Sequence, residues 1–150
     1  SHNIFKRSMR AVEFVKEKQF GEVISEVDNN TTWLAGHTRW PTRGAVDVIS
    51  NAQPLRASRI LGTHNGTVLN ADDLFARFDL PRFAEVDSEI IFRMADDTLR
   101  DGRIDVPALK ERLALCKGQL SAVMASKLDP KTVVIIKKNM PRSRLRPAGR

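Results

Sequence analysis

Apolar side chains recur at Phe20, Val23, Ile24 and Val27, the i, i+3, i+4, i+7 spacing of one helix face, and Asp28-Asn29-Asn30 closes that segment. Thr31 to Thr38 is β-branched and apolar, which predicts a strand running into Arg39-Trp40. Pro41 to Gly44 reads as a loop, since Pro41 lacks an N–H donor and Gly44 tolerates unusual dihedrals. A second strand is expected over Arg59 to His64, ended by the turn pair Asn65-Gly66. Ala71 to Phe78 predicts a short helix. Asp87 or Ser88 is placed to cap a helix through Asp101 that buries Ile90, Ile91, Met94, Ala95 and Leu99. Asp105 is placed to cap the next, with Pro107 in its first turn and Leu109 and Leu113 facing inward. Leu120 to Ser126 and Thr132 to Lys137 form a hairpin pattern around Asp129-Pro130. Hairpin strands beside segregated helices favour an α+β fold over a doubly wound parallel sheet.

Composition bounds this picture. A chain of 150 residues, 41% of them hydrophobic, suits one domain with one core. No apolar run approaches the roughly 20 residues of a membrane-spanning helix, and the start Ser1-His2-Asn3-Ile4-Phe5-Lys6 has no apolar signal region. One cysteine, Cys116, precludes an internal disulfide and fits a reducing compartment, so a cytoplasmic location is expected. The net charge of +7 is concentrated at the end: six basic residues and no acid lie between Lys137 and Arg150, leaving about +1 for the rest. A solvated basic tail is the plainer reading of that stretch, a nucleic-acid site the sharper one. The lack of tyrosine and of aromatics interleaved with the basic residues argues against a platform for stacking single strands.

Three polar segments flank the expected strands: Gly36 to Gly44, Thr63 to Thr67, and Val86 to Glu89. Their residue types suit an α-amino acid ligand. Arg39 could fork onto a carboxylate, with the Thr42 hydroxyl as a further donor, and Asp87 could pair with an α-ammonium. Asn65 offers a side-chain amide and Gly66 a backbone N–H, two neutral donors for a developing oxyanion. Each segment also has a structural reading: Arg39-Trp40 as a cation–π or surface contact, Asn65-Gly66 as a hairpin turn, Asp87-Ser88-Glu89 as a helix cap.

Taken as a series, Gly36-His37-Thr38-Arg39-Trp40, Asn51-Ala52-Gln53-Pro54, His64-Asn65-Gly66, Asn70 and Asp87-Ser88-Glu89 resemble the signature of class II (N-terminal-nucleophile) glutamine amidotransferases. Gly118 to Val123, followed by Lys137 to Pro141, is similar to a later strand pair of the same domain, so the likeness runs from about Trp33 to Pro141. The resemblance implies an Ntn-hydrolase-like αββα sandwich, with two antiparallel sheets between helix layers. It implies glutamine hydrolysis to glutamate and ammonia, no cofactor or metal, and an ammonia-accepting synthase domain or subunit as partner. By motif position, Arg39 and Thr42 would hold the glutamine α-carboxylate, Trp40 would lie beside the pocket, and Asp87 would take the α-amine. Asn65 and Gly66 would form the oxyanion hole, and His64 would support the strand end.

The chain departs from that pattern in places. The family's nucleophile is an N-terminal cysteine whose own α-amine serves as base. Here Ser1 stands first, so the cysteine and its strand are expected upstream and the domain is expected to be incomplete at both ends. Cys116 follows the oxyanion motif within an apolar run and reads as a buried hydrophobe. Pro41, Arg43 and Gln53 replace a small residue, a histidine and a histidine that are usual in the family. A domain over 1–141 and a basic tail over 142–150 are expected. The alternative reading is an inactive Ntn-like domain that binds a ligand or partner.

Overall fold

The computed structural model describes residues 3–38, 45 and 47–139. Its elements run α1 (Ala11–Phe14), α2 (Lys18–Ser25), a 3₁₀ turn (Ile49–Asn51), β1 (Leu55–Ala57), β2 (Ile60–Val68), α3 (Ala71–Phe78), α4 (Glu89–Asp97), β3 (Leu99–Arg100), β4 (Arg103–Ile104), α5 (Val106–Ala114), β5 (Gly118–Ser126) and β6 (Asp129–Lys138). The strands form a four-stranded sheet in the order β1-β2-β5-β6 and a two-stranded ribbon, β3-β4, with every pair antiparallel. The fold is therefore α+β with two antiparallel sheets and segregated helices, as expected; among the described residues the second sheet is the short ribbon.

Alternation along the strands sorts the four-stranded sheet into two faces. Leu55, Ala57, Ile60, Val68, Leu120, Ala122 and Met124 point to the core, beneath α4, which packs on β1 and β2. Ile90, Ile91, Phe92, Met94 and Ala95 of α4 are all fully buried, each large side chain contributing about 1.5–3 kcal/mol of transfer free energy. Gly62 permits the close approach of helix to sheet, because a Cβ there would lie 2.3 Å from Phe92 Cε1. The opposite face, with Leu61, Thr63, Val123, Val133 and Ile135, is half-buried to exposed.

Several elements form where the sequence predicts them. α3 spans Ala71–Phe78, with Asp72 and Asp73 at its positive N-terminal end and Asp79 in the left-handed region closing it. Asp105 Oδ1 accepts from Ala108 N–H at 3.0 Å, capping α5, and Leu109 and Leu113 are buried. Lys138 Nζ finishes that helix by donating to the carbonyls of Leu113, Ala114 and Cys116 at 3.0, 3.1 and 2.7 Å.

Others differ. Residues 31–38 are not a strand: no described strand lies alongside to take up their backbone groups. The first helical region is shorter than its apolar spacing suggests. It buries no residue and leaves out Val27, where Asp28 instead folds a turn by accepting from Asn30 N–H at 2.9 Å. Asn65-Gly66 does not end β2; both residues pair with β5, opposite Ser121 and Leu120. The hairpin partner of β2 is β1, which has only three residues and so little pattern to read. α4 stops at Asp97 because Asp101 and Gly102, at φ 50° and 79°, make the tight turn of the β3-β4 ribbon. The β5-β6 turn falls at Lys127-Leu128, two residues before Asp129-Pro130, and Pro130 sits on an edge strand, where a missing donor is tolerated.

Neither Asp87 nor Ser88 caps α4 through its side chain. Both side chains are engaged elsewhere, at the strand that carries His64-Asn65-Gly66.

Candidate functional site

Two of the three polar segments meet along β2. His64 is 2% exposed; its Nδ1 lies 2.8 Å from Ser88 Oγ and its Nε2 3.4 Å from the Gln119 carbonyl. Burial lowers the His64 pKa below its ordinary value, and the nearby His37 adds to this, against the opposing pull of the Gln119 carbonyl and Asp87. The ring is therefore neutral at pH 7. Four residues further on, Val68 N–H donates to the buried Asp87 carboxylate at 2.5 Å.

Gly66 lies between these contacts. Its φ is +140°, and a Cβ at this position would stand 2.1 Å from the Gln119 carbonyl oxygen, so only glycine fits. Asn65, one residue earlier, is exposed on the open face of the sheet. The structure thus gathers His64, Gly66 and Asp87 at one strand, with Asn65 turned to the other side of it. Arg39, Trp40 and Thr42, together with the Pro41 to Gly44 loop, lie outside the described residues, as does the basic stretch 142–150.

The residues around these were less visible in the sequence. Gln53 grips the His64 backbone: its Nε2 donates to the His64 carbonyl at 2.6 Å, and its Oε1 accepts from His64 N–H. Lys6 Nζ donates to the neighbouring Ala52 carbonyl at 2.9 Å. Asn51, 1% exposed, accepts from Glu85 N–H at 2.9 Å and donates to Glu85 Oε2 at 2.7 Å and to the Ala45 carbonyl at 3.1 Å. That network ties Ala45 and the 3₁₀ turn to the segment leading into Asp87. Asn70, also in the motif series, joins the start of α3 to the end of α5 by donating to the Leu115 carbonyl at 3.1 Å and accepting from Lys117 N–H at 2.7 Å. The signal for Asn51 and Gln53 was the Asn51-Ala52-Gln53-Pro54 motif; nothing in it announced which backbone groups they would hold.

Cys116 is buried, and burial pushes its thiol up to about 11, so it is held as an unreactive thiol, in keeping with a hydrophobic role. A groove between the N-terminal segment and α2, lined by Lys6, Arg7, Glu22 and Glu26 among others, mixes both charge signs and contains none of the motif residues.

Comparison with known proteins places these motifs in context. No family model matches the chain. The glutamine–fructose-6-phosphate aminotransferase (isomerizing) of Geobacillus kaustophilus is 30% identical over 116 residues, 75% of this chain and 19% of its own length. The enzyme of that name from Shouchella clausii is 28% identical over 148 residues, 94% of this chain and 24% of its own. The one from Bradyrhizobium diazoefficiens is 36% identical over 88 residues, 55% of this chain and 14% of its own. The chain thus spans between about a fifth and a quarter of the first two relatives. Among solved structures, the glutamine phosphoribosylpyrophosphate amidotransferase of B. subtilis, complexed with ADP and GMP, matches 61% of this chain and 20% of its own at 21% identity and a TM-score of 0.45, a likeness too distant to carry an argument. The resemblance drawn from the motif series is borne out by the curated relatives: this chain is a divergent relative of the class II glutamine amidotransferases, matched over a domain-sized part of them.

Proposed function

We propose that this chain is the glutamine-binding part of a glutaminase domain, which hydrolyses glutamine to glutamate and ammonia and passes the ammonia to a synthase domain or subunit. The observation that carries the reading is the edge of β2. Gly66 is held at φ +140° where no side chain fits, two residues from the Asp87-bound Val68 N–H. In an antiparallel strand the N–H groups of alternate residues face the same edge. The Gly66 N–H therefore belongs to the edge that His64 N–H and Val68 N–H present to Gln53 and Asp87.

On this reading Arg39 and Thr42 hold the α-carboxylate, Trp40 flanks the pocket, and Asp87 takes the α-ammonium. A cysteine thiolate on a segment preceding residue 1, deprotonated by its own α-amine, attacks the amide carbon. The C–N bond breaks after proton transfer to the leaving nitrogen, giving ammonia and a thioester that water then hydrolyses. Gly66 N–H and the Asn65 side chain stabilise the oxyanion of both steps, each such donor being worth about 10²–10³ in rate. The domain occupies 1–141, the basic stretch 142–150 lies outside it, and the location is cytoplasmic.

Ammonia release from glutamine by the full-length protein tests this. Arg39→Ala and Asp87→Ala are each expected to raise KM steeply and to reduce kcat/KM by about 10²-fold or more, since each removes a charge-assisted contact to substrate. Unchanged turnover in both variants would refute the pocket. Glutamine binding without any ammonia release would instead favour the inactive ligand-binding alternative.

A further inference from the structure

Gln53 does the work of a missing strand residue. The β1-β2 register pairs Ala57 with Ile60, Arg56 with Leu61 and Leu55 with Gly62. Continued by two residues, that register sets position 53 opposite His64. β1 begins only at Leu55, after Pro54, which has no N–H to contribute to a ladder. The ladder does not extend past Leu55, and the Gln53 carboxamide makes the two bonds that a strand neighbour would have made. Nε2 donates to the His64 carbonyl at 2.6 Å, and Oε1 accepts from its N–H.

This clamp acts on the residue immediately before Asn65-Gly66. Beyond Gly66 a second side chain, Asp87, holds the same edge at Val68 N–H, 2.5 Å away. The peptide carrying the two proposed oxyanion donors is thus suspended between two side-chain anchors. On its other margin the same peptide is held in the β2-β5 ladder, with Asn65 opposite Ser121 and Gly66 opposite Leu120. Donors of this kind are effective only when held to within about 0.5 Å and 10–20° of the productive geometry.

We propose that Gln53 is a positioning residue for the Asn65-Gly66 donors, acting through the His64 backbone rather than on substrate; this rests on the glutaminase reading given above. Without the clamp the strand edge is free to shift, and a misplacement of about 1 Å can cost on the order of 10² in rate.

The test compares the full-length protein with Gln53→Met, which keeps the side chain's length and removes both bonds, and with Gln53→Glu, which keeps only the acceptor. Leu109→Ala in α5 serves as a destabilised control remote from the motif, and all are assayed below their unfolding temperatures. We expect kcat for ammonia release to fall about 10- to 100-fold in Gln53→Met with KM for glutamine little changed, the signature of lost transition-state stabilisation. Gln53→Glu should also fall well below wild type, since its second oxygen cannot donate to the His64 carbonyl. A kcat equal to wild type in Gln53→Met, or reduced no more than in Leu109→Ala, overturns the proposal. If the wild-type protein itself releases no ammonia, the glutaminase reading fails, and amide hydrogen exchange then decides the clamp by itself. Faster exchange at His64, with shifted Asn65 and Gly66 amide resonances in Gln53→Met, supports it; unchanged exchange and resonances overturn it.

Discussion

At His64, burial and electrostatics pull in opposite directions, and burial prevails. The ring is enclosed by Ser88 and the Gln119 carbonyl, and its pKa lies below the ordinary 6.5 despite Asp87 nearby. The unfolded chain therefore binds more protons than the folded one between the two values. The His64 contribution to stability is complete above about pH 6.5 and is lost as the pH falls from there through the folded value. Urea midpoints should drop between about pH 7.5 and pH 5, and drop less in His64→Gln; an equal drop in both proteins would remove His64 as the cause. From the motif series His64 was expected to support a strand end; the structure sets it within β2, buried and four residues before the last residue of that strand. Gly66 was legible as a residue needing freedom from a side chain, but the pair Asn65-Gly66 equally suggested a turn. The clash at Gln119 that makes the glycine obligatory comes from a residue more than 50 positions away.

At the scale of elements, α4 stands out because it buries a charged pair along with its apolar residues. Glu89, 2% exposed, pairs with Arg93 at 2.7 Å and accepts from the N–H groups of Phe83 at 3.1 Å and Ala84 at 2.6 Å; the Arg93 guanidinium lies 4.7 Å from the Phe83 ring centre. The pair thus fastens the segment that leads to Asp87 onto the start of the helix. Glu89→Ala leaves Arg93 buried without its partner and should cost about 3–5 kcal/mol by urea unfolding. The double variant Glu89→Leu/Arg93→Met should recover much of that loss. Failure of the double variant to recover would mean that the backbone contacts of Glu89, not the charge pair, hold the segment. Asp87-Ser88-Glu89 read locally as a cap, since acidic and hydroxyl side chains before an apolar run usually are. The structure sends all three side chains elsewhere: to Val68, to His64, and to Arg93 with the Phe83-Ala84 backbone.

For the whole molecule, the core lies between one face of the four-stranded sheet and the helices above it, and Cys116 belongs to that core. Its thiol, raised to about 11, should resist alkylation at neutral pH in the native state and react on unfolding, so that the rate reports global or large-scale opening. Alkylation as fast in native protein as in urea would mean that the α5-β5 junction opens on its own. The other face of the sheet leaves Ile135 76% exposed on the edge strand β6.

The sequence by itself determined the α+β class, the span of α3, the cap and buried face of α5, the β5-β6 hairpin and the motif series that relates the chain to the amidotransferases. The elements depend on residues close together in the chain, through periodicity, capping and short-range spacing, and the motif series on the order in which short segments occur along it. Only the tertiary structure decided that β2 continues through Asn65-Gly66, that 31–38 has no described strand beside it, and that Gln53 stands in for a strand. Those outcomes depend on which backbone groups find partners across the fold, and strand partners are chosen by packing and register between distant segments rather than by the residues of the strand itself.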